Sequence, residues 1–319
     1  MNLFHQLHPH LSLSQPQHTD RPEDYLLSEE LVGAVNVAMA SGQPLLITGE
    51  PGTGKTQLAY KLAIELHQQD NQFLREPLVF HTKTSSVASE LFYTYDALGH
   101  FQKANIKQAG TSTSSVDHIQ LQALGKAIAL THASQHPRLL SSDQNAHSVV
   151  LIDEIDKAPR DFPNDILNEI DQQEFYIKEA DNYRVEKGKE GKILVIMTSN
   201  SEKNLPEPFL RRCIYFHIEF PSHAQLRDIV SLKLGSQSRY FDDELIQHFL
   251  EIREAVNKKK PATAELITWL RVLEVSQFIQ DDFNLYELDE RQRHILALSY
   301  SAIAKNKEDL ALIKSRFLS

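Results

Sequence analysis

The chain has 319 residues, of which 41% are hydrophobic and 24% charged, and a formal net charge of −10. This is the composition of a globular protein with material for about two domains, and its acidic balance argues against a protein that coats nucleic acid through a broad basic surface. Cys213 is the sole cysteine, so neither an intramolecular disulfide nor a cysteine zinc site can form.

Residues 1–24 are polar and rich in Pro and His, and are expected to form a flexible arm. His5, His8, His10 and His18 in this arm read as a solvated tail rather than a metal site. The opening MNLFHQLHPHLSLSQPQ lacks a basic segment followed by an apolar one, so no signal peptide is expected. No apolar stretch approaches the ~20 residues of a membrane helix. A cytoplasmic protein without a membrane span is the expectation.

SEELVGAVNVAMASG (28–42) has helical spacing, with Ser28 as its cap. PLLITGE (44–50) is a short apolar strand running into a glycine-rich turn, and KTQLAYKLAIELHQ (55–68) is again helical. PLVFHT (77–82), HSVVLIDE (147–154), KILVIMTSN (192–200) and CIYFHIEF (213–220) read as four further strands. Alternation of strand and helix implies a parallel sheet between helices. After Pro221 every apolar pattern is helical, and Ser222 with Gln225 makes a capping box. The expected organisation is an α/β core over 25–221 and a smaller all-helical domain over 222–319.

GEPGTGKT (49–56) fits G-x-x-x-x-G-K-[ST] between a strand and a helix, the context this phosphate-binding loop requires. Its residues Gly49, Glu50, Pro51, Gly52, Thr53, Gly54, Lys55 and Thr56 are expected to cradle the phosphates of a nucleotide. Lys55 reaches the β- and γ-phosphates, and Thr56 offers its hydroxyl to Mg2+. VVLIDEIDKAPR (149–160) is an apolar run ending in carboxylates, which a buried strand end tolerates only opposite positive charge. Asp153 is assigned to Mg2+, through water, and Glu154 to the attacking water as general base. Asp156 reads as a loop acid bonding backbone N–H groups or a neighbouring arginine. Asn200, at the end of the 193–200 strand, is assigned to holding the lytic water. Arg211 and Arg212 suit charge developing on a transferring phosphoryl group, with a solvated pair as the plainer alternative. NKED (306–309) matches a guanine-reading pattern but follows no buried strand, so it reads as a helix junction.

GEPGTGKT, LIDEIDKAP, TSN and LPEPFLRRC, in this order, resemble the AAA+ ATPases, and over residues 25–275 the chain is similar to their MoxR branch. DEIDKAP resembles that branch's DEINRAP, and LPEPFLRR its LPEAQLDR. FHTKTSSVASELFYTYDALGHF (80–101) is similar to the region where this branch carries an insertion. The resemblance implies ATP held between an α/β core and a helical lid, and assembly into a homo-oligomeric ring, a hexamer. It implies chaperone-like remodelling of a protein partner, such as one with a von Willebrand factor A domain. It places Arg212 as the arginine finger acting across the subunit boundary, although Arg211 replaces the acidic residue usual beside it. The second-sensor arginine of the lid is missing, with Ala262 or Ala264 in its place, and Lys258–Lys260 read as a solvated face. The alternatives are an NTPase subunit of a nucleic-acid motor or DNA-restriction complex, which the acidic balance disfavours, and a small-molecule kinase.

Two segments exceed what a nucleotide site needs. Residues 90–108 carry Phe92, Tyr93, Tyr95 and Phe101, and EFYIKEADNYRVEKGKEGK (174–192) reads as a hairpin. Phe92 is expected in the core. Tyr93 and Tyr95 cannot share one helical face, so at least one of them is expected to be exposed and to contact the partner.

Overall fold

The computed structural model describes residues 21–106, 114–201, 205–235, 238, 240, 243–279, 285 and 287–318. The expected arm and its four histidines lie outside the described residues up to position 20, as does the end of the 90–108 segment.

Among the described residues there are nine strands: β1 (Leu45–Gly49), β2 (Leu78–His81), β3 (Tyr93–Tyr95), β4 (Ile119–Leu121), β5 (Ser148–Asp153), β6 (Glu174–Ile177), β7 (Tyr183–Glu186), β8 (Ile193–Ser199) and β9 (Ile214–Ile218). Five of them form one sheet in the order β2-β5-β8-β1-β9, and every pairing in it is parallel. The reason is composition. Every residue of β1 and β5 is buried, as are the last six of β8, because helices cover both faces and leave no polar side. The fold is therefore the α/β class read from the sequence.

The first covering helix is bounded by capping residues. In α1 (Glu29–Ser41) the Ser28 hydroxyl accepts the Leu31 N–H at 3.2 Å, and Gly42 closes the helix at φ +68°. Helix α2 (Lys55–Gln69) starts straight from the glycine-rich turn. Helix α3 (Ala97–Ile106) follows β3, and α4 (Ala123–Leu130) follows β4. Gly125 of α4 lies against backbone, since a Cβ there would come 2.0 Å from the Phe92 carbonyl oxygen.

The paired strands β3 and β4, and the hairpin of β6 and β7, form two separate antiparallel sheets beside this one. They share its core: Phe92 and Phe175 rings lie 5.2 Å apart, alongside buried Ile177 and Val185. The expected exposure of Tyr93 or Tyr95 is corrected here. The segment is strand, not helix, and residues two apart on a strand share a face. Tyr93 is buried and its hydroxyl accepts the Lys178 N–H at 3.2 Å. Tyr95 is half-buried, bonded to His100 Nδ1. Among the described residues of this stretch, the exposed large apolar side chains are Leu98 and Phe101 instead.

The chain divides into two compact units. One comprises 27–49 and 54–218; the other comprises 50–53 and 219–318, with 21–26. The second unit is helical: α5 (His223–Leu234), α6 (Asp243–Ala255), α7 (Thr263–Val275), α8 (Glu290–Ile303) and α9 (Lys307–Phe317) enclose a core around Phe249, Trp269, Phe278 and Tyr300. Capping boxes at Ser222 and Asp289 begin α5 and α8. Asn306 caps α9 by accepting the Asp309 N–H at 2.8 Å, so the NKED stretch is a helix junction. Among the described residues no helix is long and apolar enough to cross a membrane.

Candidate functional site: the acid pair and the phosphate loop

Parallel pairing brings the ends of β1, β2, β5 and β8 to one edge of the sheet, where open α/β sheets bind ligands. Gly49 ends β1, and the loop turns back at Gly54 (φ +88°) to start α2 at Lys55. Only glycine adopts such a φ without strain. Lys55 is buried, and its ammonium donates to the Gly49 carbonyl at 2.9 Å, across the mouth of the loop. The first turn of this fifteen-residue helix has N–H groups with no carbonyl partner within the helix, and it favours an anion.

Asp153 ends β5 and is buried. The Thr56 hydroxyl donates to its Oδ1 at 3.0 Å, and the Thr198 hydroxyl to the same oxygen at 2.6 Å. His81 Nδ1, from the end of β2, lies 3.5 Å from Oδ2. Burial of this carboxylate is thus offset by hydroxyl and imidazole groups from three other segments. Thr56 and Asp153 together make a sparse set of hard oxygen donors. That fits Mg2+, which keeps most of its shell for water and phosphate oxygens.

Glu154 follows in the left-handed region at φ 57°, ψ 51°, which costs a non-glycine residue about 1–2 kcal/mol. Its N–H donates to the Thr198 hydroxyl at 2.8 Å, so one threonine holds both acids. The Glu154 carboxylate is half exposed and paired with the Lys157 ammonium, and this hydrogen bond raises the Lys157 pKa. Asp156 accepts the Asn200 backbone N–H at 3.3 Å, which is the loop role expected of it. Asn200 is half-buried at the end of β8.

Arg211 and Arg212 follow the short helix Glu207–Leu210, anchored by buried Phe209. Arg211 pairs with Glu207, and Arg212 Nη1 lies 3.6 Å from Asp171, with about half its side chain exposed. Among the described residues, neither arginine pairs with Asp153 or Glu154 of its own chain. In the helical unit, Ala262 is buried at the N-cap of α7. A Cβ built on Gly52, at φ +79°, would lie 2.9 Å from the Ala262 methyl. The loop tip therefore packs against Ala262, one of the two positions, with Ala264, that the resemblance offers for the second-sensor arginine. Lys258 pairs with Glu308 at the surface.

The structure thus brings together Lys55, Thr56, Asp153, Glu154 and Asn200 at one sheet edge. Sequence reasoning missed Thr198, His81 and Lys157. Thr198 had only its place near the end of β8. His81 had only its place at a strand end.

Among solved structures, the chain is similar to katanin from a study of its self-assembly, at 13% identity and a TM-score of 0.44, over 92% of this chain and 88% of that one. It is similar to a point mutant of Thermotoga maritima RuvB, at 15% identity and a TM-score of 0.48, over 87% and 71%. Domain III of the Thermotoga maritima replication initiation protein DnaA gives 12% identity and a TM-score of 0.45, over 89% and 97%. No curated protein matches the chain. A family model does match, over residues 45–222, which is more than half of the chain. It spans β1 through β9, the whole phosphate loop and the acid pair. The chain belongs to the family of ATPases associated with various cellular activities (AAA), and is an ATP-hydrolysing enzyme.

Proposed function

We propose that the chain is a MoxR-like AAA+ ATPase that works as a ring and uses Mg2+-dependent ATP hydrolysis to remodel a protein partner. The observation that carries the chemistry is the convergence of the Thr56 and Thr198 hydroxyls on Asp153, with the Glu154 N–H held by the same Thr198 hydroxyl. In this reading the loop from Gly49 to Thr56 binds the phosphates, with Lys55 exchanging its Gly49 carbonyl for phosphate oxygens. Thr56 and Asp153 would hold Mg2+, which would supply positive charge to the phosphates when bound. Glu154 leaves Lys157 and takes the proton of the attacking water, which Asn200 orients. Arg212 of a neighbouring copy meets the charge on the transferring phosphoryl group.

What supports remodelling over a bare hydrolase is the material added beside the sheet. Strands β3, β4, β6 and β7 and helix α3 are not needed for nucleotide. They carry exposed Leu98, Phe101, Tyr176 and Tyr183. Apolar and tyrosine side chains of this kind suit a protein partner. A protein with a von Willebrand factor A domain is the partner class the resemblance implies. The net charge of −10 sets DNA below protein as the partner.

The test is ATP turnover measured alone, with duplex and single-stranded DNA, and with a purified von Willebrand factor A domain protein from the same organism. Stimulation by the protein, abolished by Leu98→Ser with Phe101→Ser while basal turnover persists, is the expected result. Stimulation by DNA alone makes the chain the motor subunit of a nucleic-acid complex instead.

A further inference from the structure

Arg253, near the end of α6, is a buried arginine with no part in the site described above. Its guanidinium stacks over the Phe220 ring at 3.6 Å from the centroid. One nitrogen, Nη1, donates to the Pro261 carbonyl at 2.5 Å. The other, Nη2, pairs with the carboxylate of Glu50, whose own side chain is about half exposed. Three contacts on a planar group leave it little freedom.

Glu50 is the first residue of the loop tip. Its carbonyl accepts both the Thr53 N–H, at 3.4 Å, and the Thr53 hydroxyl, at 2.8 Å. The residue that closes the turn through its backbone is therefore also tied down through its side chain. Gly52, between them, rests on Ala262, one residue from the Pro261 carbonyl that Arg253 grips. A lysine would offer no fork to reach both Pro261 and Glu50.

We propose that Arg253 is a positioning residue of the nucleotide site: by holding Glu50 it fixes the tip of the phosphate loop in its binding shape. It stands in for the missing second-sensor arginine by a different route. It acts on the loop through a carboxylate rather than on the nucleotide. The inference rests on the reading of Gly49–Thr56 as the phosphate site. Because the pair organises the tip of the loop, its loss belongs in ATP affinity and not in the chemical step.

The experiment uses the full chain, a fluorescent ATP analogue for Kd, and steady-state hydrolysis for KM and kcat. Glu50→Ala and Arg253→Met are each expected to raise Kd and KM about tenfold with kcat changed less than about twofold. The double variant is expected to match either single rather than their product, as for two groups acting as one unit. Arg253→Lys is expected to lose less than Arg253→Met. Wild-type affinity in Glu50→Ala overturns the proposal, and so does additivity in the double variant. Should Arg253→Met fail to fold, Glu50→Ala decides alone, because its side chain is half exposed. Absence of nucleotide binding in the wild type would instead remove the reading of the loop itself.

Discussion

The Thr198 hydroxyl has one proton and uses it on Asp153, while its lone pair takes the Glu154 N–H. Thr198→Val keeps the shape and removes both bonds. It leaves the Glu154 N–H unpaired at a strained residue, at a cost of about 1–3 kcal/mol. We expect a lower urea midpoint with an unchanged slope, and slower ATP turnover because the strained peptide of Glu154 is no longer held. A midpoint equal to wild type would show that the threonine carries no strain. The acids themselves were legible, since a buried apolar run ending in carboxylates implies positive charge opposite. Their supports were not, because Thr198 and His81 come from other strands and only the sheet's parallel register sets them beside Asp153.

At the scale of elements, the five sheet strands could be read because each is a short, mostly apolar run. The pair β3 and β4 could not: each has three residues, too few to display a period, and residues 96–118 separate them. A helical face is therefore the wrong frame for Tyr93 and Tyr95, and nothing local to them says so. The helical unit holds a titratable group of its own. His248 of α6 is buried against Trp269, Tyr300 and Phe317, with Nε2 2.8 Å from the Tyr300 hydroxyl. Burial pulls its pKa from 6.5 down to about 4, against a smaller upward pull from Glu251. The unfolded chain then binds the proton first as pH falls through 6.5. Stability is full above that value and is lost as pH falls toward the folded pKa. Between pH 8 and pH 5 this group removes about 2 kcal/mol. Denaturation at both pH values should show His248→Gln losing that much less than wild type, and equal losses would assign the effect elsewhere.

For the whole molecule, the placement of Arg212 bears on assembly. Its side chain is half exposed, weakly paired with Asp171, and not engaged with the acid pair of its own chain. If it serves a neighbour's site, specific activity rises with protein concentration. Arg212→Ala then binds nucleotide but loses turnover by about 10³-fold or more, and mixing it with Lys55→Ala protein restores part of the activity, since each copy supplies what the other lacks. Full activity in a preparation shown by light scattering to be monomeric excludes the arrangement. Central to every scale is the proposed hydrolysis at Asp153 and Glu154, and Glu154→Gln tests it most directly, measured as ATP turnover beside the nucleotide retained after gel filtration. The account predicts ATP bound and intact, with turnover reduced about 10²-fold or more; turnover at the wild-type rate would contradict it.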